Sequence, residues 1–106
     1  MNFTDSEALR DFLKEHTGLR AVFVEQYEGT VQPPYVVVGE MRTQTLPADN
    51  AVHYKEKRFY IDVFVKKTDN ETSELVEEVL SDNDIYFEND NFWLHDLRLK
   101  CHEYEI

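Results

Sequence analysis

A chain of 106 residues with 42% hydrophobic and 13% aromatic residues is long enough for one folded domain with a modest core, which excludes wholesale disorder. Its 22 aspartates and glutamates outnumber its 11 lysines and arginines, for a formal net charge of −11. That charge opposes contact with phosphates, so it argues against nucleic-acid binding through a basic surface and against docking on anionic membranes.

The negative charge is concentrated in one segment. Between Lys67 and Arg98 there are ten acidic residues and no lysine or arginine. We therefore expect one region of the fold to present a strongly negative surface. These acids are Asp69, Glu71, Glu74, Glu77, Glu78, Asp82, Asp84, Glu88, Asp90 and Asp96.

The single cysteine, Cys101, rules out an intrachain disulfide and is compatible with a reducing cytosol. No apolar run reaches the roughly 20 residues that a membrane-spanning helix needs. The first residues contain neither the basic nor the apolar region of a signal peptide. We expect a protein that is made and used in a cytoplasm.

A first helix is predicted from Asp5 to Thr17. The segment Thr4-Asp5-Ser6-Glu7 fits a capping box with Thr4 as the N-cap, and Gly18 fits the residue that ends a helix in the left-handed conformation. The helical spacing places the apolar residues on one face. They are Ala8, Leu9, Phe12 and Leu13.

Three strands are predicted next, at 21–24, 35–38 and 58–65, because these segments are rich in β-branched and aromatic residues. Gly39 is expected to end or bulge the second strand. In the third strand the alternation places four apolar residues on one face and Tyr60, Asp62 and Phe64 on the other. Two large aromatic residues on that second face suggest that a neighbouring subunit covers it.

A second helix is predicted over 69–80, with Thr68 and Glu71 as a second capping box. Its polar face carries Glu71, Glu74, Glu77 and Glu78. After this helix the sequence predicts a short strand at 85–87, a turn at 89–91 and a last strand from Phe92 or Trp93 to Tyr104. Trp93 and Cys101 are expected in the core.

The predicted order is α-β-β-β-α-β-β. Three strands lie between the helices, so a doubly wound parallel sheet is not expected. The sequence instead predicts an α+β fold: one domain over 1–106, built as a two-layer sandwich whose mainly antiparallel sheet carries two helices on one face.

Residues 42–54 form a long polar connection between the second and third strands, with no sustained period of 2 or 3.6. Such loops are uncommon in compact domains unless they are functional or disordered. One interpretation is a flexible hairpin tip; the other, which we favour, is an arm that becomes ordered on a partner. The candidate contacts are Arg42, Gln44, Leu46, Asp49, Asn50, Val52, His53 and Tyr54.

No residue pattern indicates catalysis, a metal or a cofactor. The four histidines, at 16, 53, 95 and 102, lack the spacing of a zinc site, and Cys101 and His102 should point to opposite faces of a strand. Three glycines are too few and too scattered for a phosphate-binding loop. We expect a protein that is not an enzyme and that has no catalytic, metal-binding or cofactor-binding residue.

Several short motifs, taken in order, resemble the small head–tail connector proteins of tailed bacteriophages and prophages, a group that includes tail terminators and head–tail joining proteins. The resemblance covers almost the whole chain. The motifs are Pro33-Pro34-Tyr35-Val36-Val37-Val38, Ala48-Asp49-Asn50 with Tyr54, Phe59-Tyr60-Ile61-Asp62-Val63-Phe64-Val65, the helix at 69–80 and Glu103-Tyr104-Glu105-Ile106.

The resemblance implies a structural virion protein, assembled in the host cytoplasm, that forms a ring, commonly a hexamer, at the head–tail junction. Its expected partners are its own copies, the tail-tube protein and the head-side connector protein. DNA is expected to pass through the lumen without specific binding, and the acidic face with Glu71, Glu74, Glu77 and Glu78 is a hypothetical lining for it. The alternative is a stand-alone acidic module that binds a basic host protein or mimics a nucleic acid.

Overall fold

The chain folds as an α+β domain in the predicted order α-β-β-β-α-β-β. The structure is a computed structural model that describes residues 3–26, 32–41 and 58–106. Its elements are α1 (Ser6–Thr17), β1 (Val22–Val24), β2 (Tyr35–Met41), β3 (Arg58–Val65), α2 (Glu71–Asp82), β4 (Glu88–Leu94) and β5 (Leu99–Glu105).

The five strands form one sheet in the order β1-β2-β3-β5-β4. Only β1 and β2 are parallel; the other three neighbouring pairs are antiparallel. Tyr35 lies opposite Phe64 and Met41 opposite Arg58, so β2 and β3 pair along their length as predicted. The sheet is therefore mainly antiparallel, with β1 and β4 at its two edges.

Both helices pack on the same face of the sheet and share one core with it. Leu9 and Leu13 of α1 and Leu80 of α2 are almost completely buried against Ile61 and Val63 of β3. Burying a leucine or isoleucine side chain contributes about 1.5–3 kcal/mol relative to leaving it exposed. The predicted two-layer sandwich is confirmed, and we call the helix-covered surface of the sheet the helix face.

The first helix and its N-cap both begin one residue later than predicted. Asp5, not Thr4, is the N-cap, because its backbone is extended (φ −158°) and its Oδ1 accepts a hydrogen bond of 2.8 Å from the Ala8 amide. A carboxylate also interacts favourably with the positive end of the helix dipole. Gly18 ends the helix with φ 75°, and its amide donates to the Lys14 carbonyl, as predicted.

The second helix is also capped by a carboxylate in place of the predicted threonine. The Asp69 Oδ1 accepts from the Glu71 and Thr72 amides at 3.0 and 3.1 Å, and the Thr72 hydroxyl donates to Oδ2 at 2.7 Å. The predicted box on Thr68 is wrong because one charged carboxylate satisfies two amides at once. The helix then runs from Glu71 to Asp82, two residues past the predicted end.

The region after α2 differs most from the prediction. The single strand predicted to run to Tyr104 is broken by a turn at 95–98, where Arg98 has φ 52°. Residues 85–87, predicted as a strand, are not in one, and residues 89–91, predicted as a turn, lie within β4. Pairing with β5 supplies backbone hydrogen bonds to this asparagine-rich segment, which outweighs its local preference for turns. As a result Trp93, predicted in the core, lies on an edge strand and is 38% exposed.

Gly39 does not end or bulge β2; the strand continues in register to Met41. Gly39 lies opposite Tyr60, and a Cβ at this position would come within 2.2 Å of the Tyr60 hydroxyl and 2.3 Å of its ring. The glycine therefore makes room for the tyrosine ring to lie across β2.

Candidate functional site

The sheet has a second face, turned away from the helices, that we call the open face. In the described part of the chain no helix covers it, and an apolar row crosses four strands there. Tyr35 and Phe64 stack with ring centroids 4.8 Å apart. The row in order across the strands is Phe92, Cys101, Phe64 and Tyr35. Only Phe92 is exposed; Tyr35 and Cys101 are 4% and 1% exposed. Coverage of this face by a neighbouring subunit stays a prediction.

Beside the apolar row lies a row of three carboxyl groups. Asp62 of β3 is directly opposite Glu103 of β5, and Glu103 is directly opposite Asp90 of β4. The Oδ1 atom of Asp62 is buried and accepts no hydrogen bond from the described residues. Burial first, and then the charge of Glu103 and a hydrogen bond to it, raise the pKa of Asp62 to about 7. The Asp62 carboxyl therefore keeps its proton at mildly acidic pH, where it can donate to Glu103, and loses it around neutral pH.

Cys101, in the same part of the open face, behaves as a small buried apolar residue, as predicted. It is 1% exposed, and burial together with the charges of Asp62 and Glu103 raises its thiol pKa to about 12. A thiol with this pKa is not a nucleophile at neutral pH.

His102 points to the opposite face of β5 from Cys101, as predicted, and is buried under the helix layer. Its Nε2 has no hydrogen-bond partner among the described residues. Burial, followed by Lys100, lowers the pKa of its imidazole, against the opposing effect of Asp69. Among the described residues, no three histidine, cysteine or carboxylate side chains are grouped so that they could hold a metal ion.

Strand β4 is the most exposed element of the sheet. Six of its seven residues are exposed, and its outer edge pairs with no strand in the ranges that the structure describes. Phe92 is 43% exposed on the open face, and Trp93 is 38% exposed on the helix face. An unpaired edge strand with large apolar residues on both faces is a ready template for pairing with another chain.

Local sequence signals were not sufficient to find this edge. The sequence predicts one strand from Phe92 or Trp93 to Tyr104, and the three turn-forming residues before Phe92 conceal that β4 begins at Glu88. The order of strands in the sheet, which makes β4 an edge, depends on contacts distant in sequence. Such contacts are not encoded in local periodicity.

The acidic side of helix α2 is exposed to solvent, as the sequence predicts. Glu71, Glu74 and Glu78 of α2 are exposed, and Glu77 is half-buried, accepting a hydrogen bond of 3.4 Å from Asn89 of β4. This bond places α2 beside the exposed edge strand. The two ion pairs found among the described residues join Arg10 to Asp11 and Arg58 to Glu105, so neither involves these four acids.

The predicted arm lies outside the described residues. This applies to all eight candidate contacts: Arg42, Gln44, Leu46, Asp49, Asn50, Val52, His53 and Tyr54.

The chain is thus an α+β domain with an exposed edge strand, a second sheet face that no described helix covers, and an acidic helix. Neither a scan of protein-family models nor a search of curated proteins found a match to this chain. Among the described residues, neither helix is long and apolar enough to cross a membrane.

Proposed function

We propose that the chain is a non-enzymatic structural protein of a tailed phage or prophage that forms a homo-oligomeric ring at the head–tail junction. It acts there either as a tail terminator or as a head–tail joining protein, in contact with the tail-tube protein and the head-side connector protein. The ordered motifs of the resemblance support this assignment, and so does the small core, which gains stability from neighbouring subunits.

The observation that carries the proposal is the edge strand β4. Phe92 and Trp93 expose large apolar surfaces on opposite faces of one unpaired strand, whose two charged residues, Glu88 and Asp90, both lie in its first half. Unprotected apolar strand edges of this kind favour pairing with another chain. An assembly that pairs this strand buries both aromatic side chains and satisfies the free backbone groups.

The acidic face of α2 fits the lumen of such a ring. Glu71, Glu74 and Glu78 are exposed, and no lysine or arginine occurs between Lys67 and Arg98 to neutralise them. A wall of negative charge repels DNA phosphates, so DNA slides past without binding. Helices that share one face of the sheet can all face the ring axis.

The second candidate function, an acidic module that binds a basic host protein, rests on the same exposed carboxylates. It differs in what it predicts: a monomer or dimer whose partner dissociates at high salt, because exposed charge pairs are screened. It gives no role to the apolar edge of β4.

A complementation experiment tests the proposed function. Without this gene, a phage that carries it should yield heads and tails that are not joined or tails of uncontrolled length, and the wild-type gene should restore infectious particles. A gene with Glu74→Lys and Glu78→Lys should restore complete particles that release their DNA poorly, because two cations in the lumen attract phosphates. Electron microscopy counts the particles, and plaque assays measure DNA delivery.

The matched control carries Asp11→Lys and Glu15→Lys, which make the same charge change on exposed positions of α1. This control should deliver DNA normally. Normal particles in the absence of the gene would contradict the proposed function, whereas equal infectivity of the α2 and α1 variants would contradict only the lumen placement.

A further inference from the structure

The two edges of the sheet suit each other in direction. Following the sheet from β1, the first pairing is parallel and the next three are antiparallel, so β4 runs opposite to β1. In the described parts of the chain neither edge has a second strand beside it. A second copy placed beside the first with unchanged strand direction therefore brings β1 next to β4 in the antiparallel arrangement, with the helices of both copies on the same side.

Charge separates this head-to-tail contact from the symmetric one, in which β4 of one copy pairs with β4 of another. The segment between Lys67 and Arg98, which contains α2 and β4, has ten acids and no lysine or arginine. The symmetric contact brings two such segments together, and like charges at an interface are unfavourable. Residues 3–26, which contain α1 and β1, have five acids and three cations, namely Arg10, Lys14 and Arg20. Contact between β4 and β1 therefore brings together less like charge than contact between two β4 strands.

The faces of the two sheets then fix the register. Phe92 and Phe23 both lie on the open face, whereas Trp93 and Val22 both lie on the helix face. A shift of one residue would exchange the faces, so only even shifts are allowed. With Phe92 opposite Phe23, Trp93 falls opposite Val22, and both are favourable cross-strand pairs. A shift of two residues would place Phe92 opposite Ala21 or Glu25.

We propose that β4 of one copy pairs antiparallel with β1 of the next copy, with Phe92 opposite Phe23 and Trp93 opposite Val22. This inference rests on the proposed ring function and names the two surfaces that build the ring. A head-to-tail contact of this kind closes into a ring when the rotation between copies is a whole fraction of a turn. The helices of all copies then lie on the same side of the joined sheets.

Cysteine cross-linking tests the pairing. The same register places Leu94 opposite Ala21, so a chain with Ala21→Cys mixed with a chain with Leu94→Cys should form a covalent dimer on oxidation, and neither chain should do so alone. A chain with both substitutions should give a ladder of covalent oligomers. Cys101 should stay out of the reaction because it is buried and burial raises its pKa to about 12.

The same register places Arg20 opposite His95, and both residues are exposed. The pair Arg20→Cys and His95→Cys therefore replaces the first pair if that pair impairs folding. A chain with Asn91→Cys, which lies at the centre of β4, reports the symmetric contact by forming a dimer alone. All samples are also examined for mass by light scattering, with and without the tail-tube protein. Cross-linking only in the mixtures supports the proposal.

The failures are distinguishable. A ring-sized species without cross-linking in either mixture, or an Asn91→Cys dimer, would overturn the β4–β1 pairing and leave the ring intact. A chain that stays monomeric even with the tail-tube protein would overturn both the pairing and the proposed function.

Discussion

Replacing Asp62 with asparagine should stabilise the chain at about pH 8 and remove much of its loss of stability between pH 3.8 and about pH 7. Burial and Glu103 raise the pKa of Asp62 from 3.8 to about 7 in the folded state. Within this window the folded chain binds a proton that the unfolded chain has released. Stability from this group is therefore complete below the unfolded pKa and is lost as the pH rises through the folded pKa.

An asparagine at this position carries no charge at any pH, and its amide can still donate to Glu103. We expect it to add about 1–2 kcal/mol to the free energy of unfolding at about pH 8, a value reduced from the full pKa shift because Asp62 is partly exposed. Urea unfolding at about pH 5 and pH 8 measures the effect. The control is Asp90→Asn, which removes an exposed carboxylate from the same row. A wild-type pH slope that survives in Asp62→Asn would contradict the explanation.

Replacing Phe92 and Trp93 together with serine should abolish assembly while leaving the fold intact. Both residues are about 40% exposed and neither belongs to the hydrophobic core, so their truncation leaves the core residues in place. In an assembly they become buried, and aromatic residues at the centre of an interface commonly account for 2 kcal/mol or more each, about a 30-fold loss of affinity per residue. The mass from light scattering and the unfolding midpoint are measured on the same samples.

The matched control is Tyr86→Ser. Tyr86 is 83% exposed and precedes β4, so its replacement removes a large exposed aromatic side chain without changing the strand. It should assemble like the wild type. If Phe92→Ser with Trp93→Ser assembled equally well, the edge of β4 would not be the contact surface.

Much of this fold is readable from local patterns. Phe59, Ile61, Val63 and Val65 alternate without interruption, and the structure places all four in the core and β3 at the predicted bounds of Arg58–Val65. The apolar stripe of α1 and the glycine that ends it are equally local signals. These elements were predictable because their own sequence and their tertiary surroundings favour the same conformation.

The candidate site was less predictable, because it depends on which strands become neighbours. The pairing of Asp62 with Glu103 joins residues 41 positions apart, and the sequence near either residue does not predict it. Residues 89–91 have turn chemistry, yet pairing with β5 holds them in a strand. Gly39 resembles a strand end until the position of the Tyr60 ring is known. In each case a tertiary contact outweighs a local preference.

The most direct test of the ring is the mass of the unmodified chain in solution, measured by light scattering alone and after mixing with the tail-tube protein from the same genome. The proposed function predicts a discrete ring-sized species: a whole multiple of 12.6 kDa if the chain assembles alone, or a heavier complex with several copies of it after mixing with the tube protein. A chain that remains at 12.6 kDa in both samples would contradict the ring and favour the acidic protein-binding module.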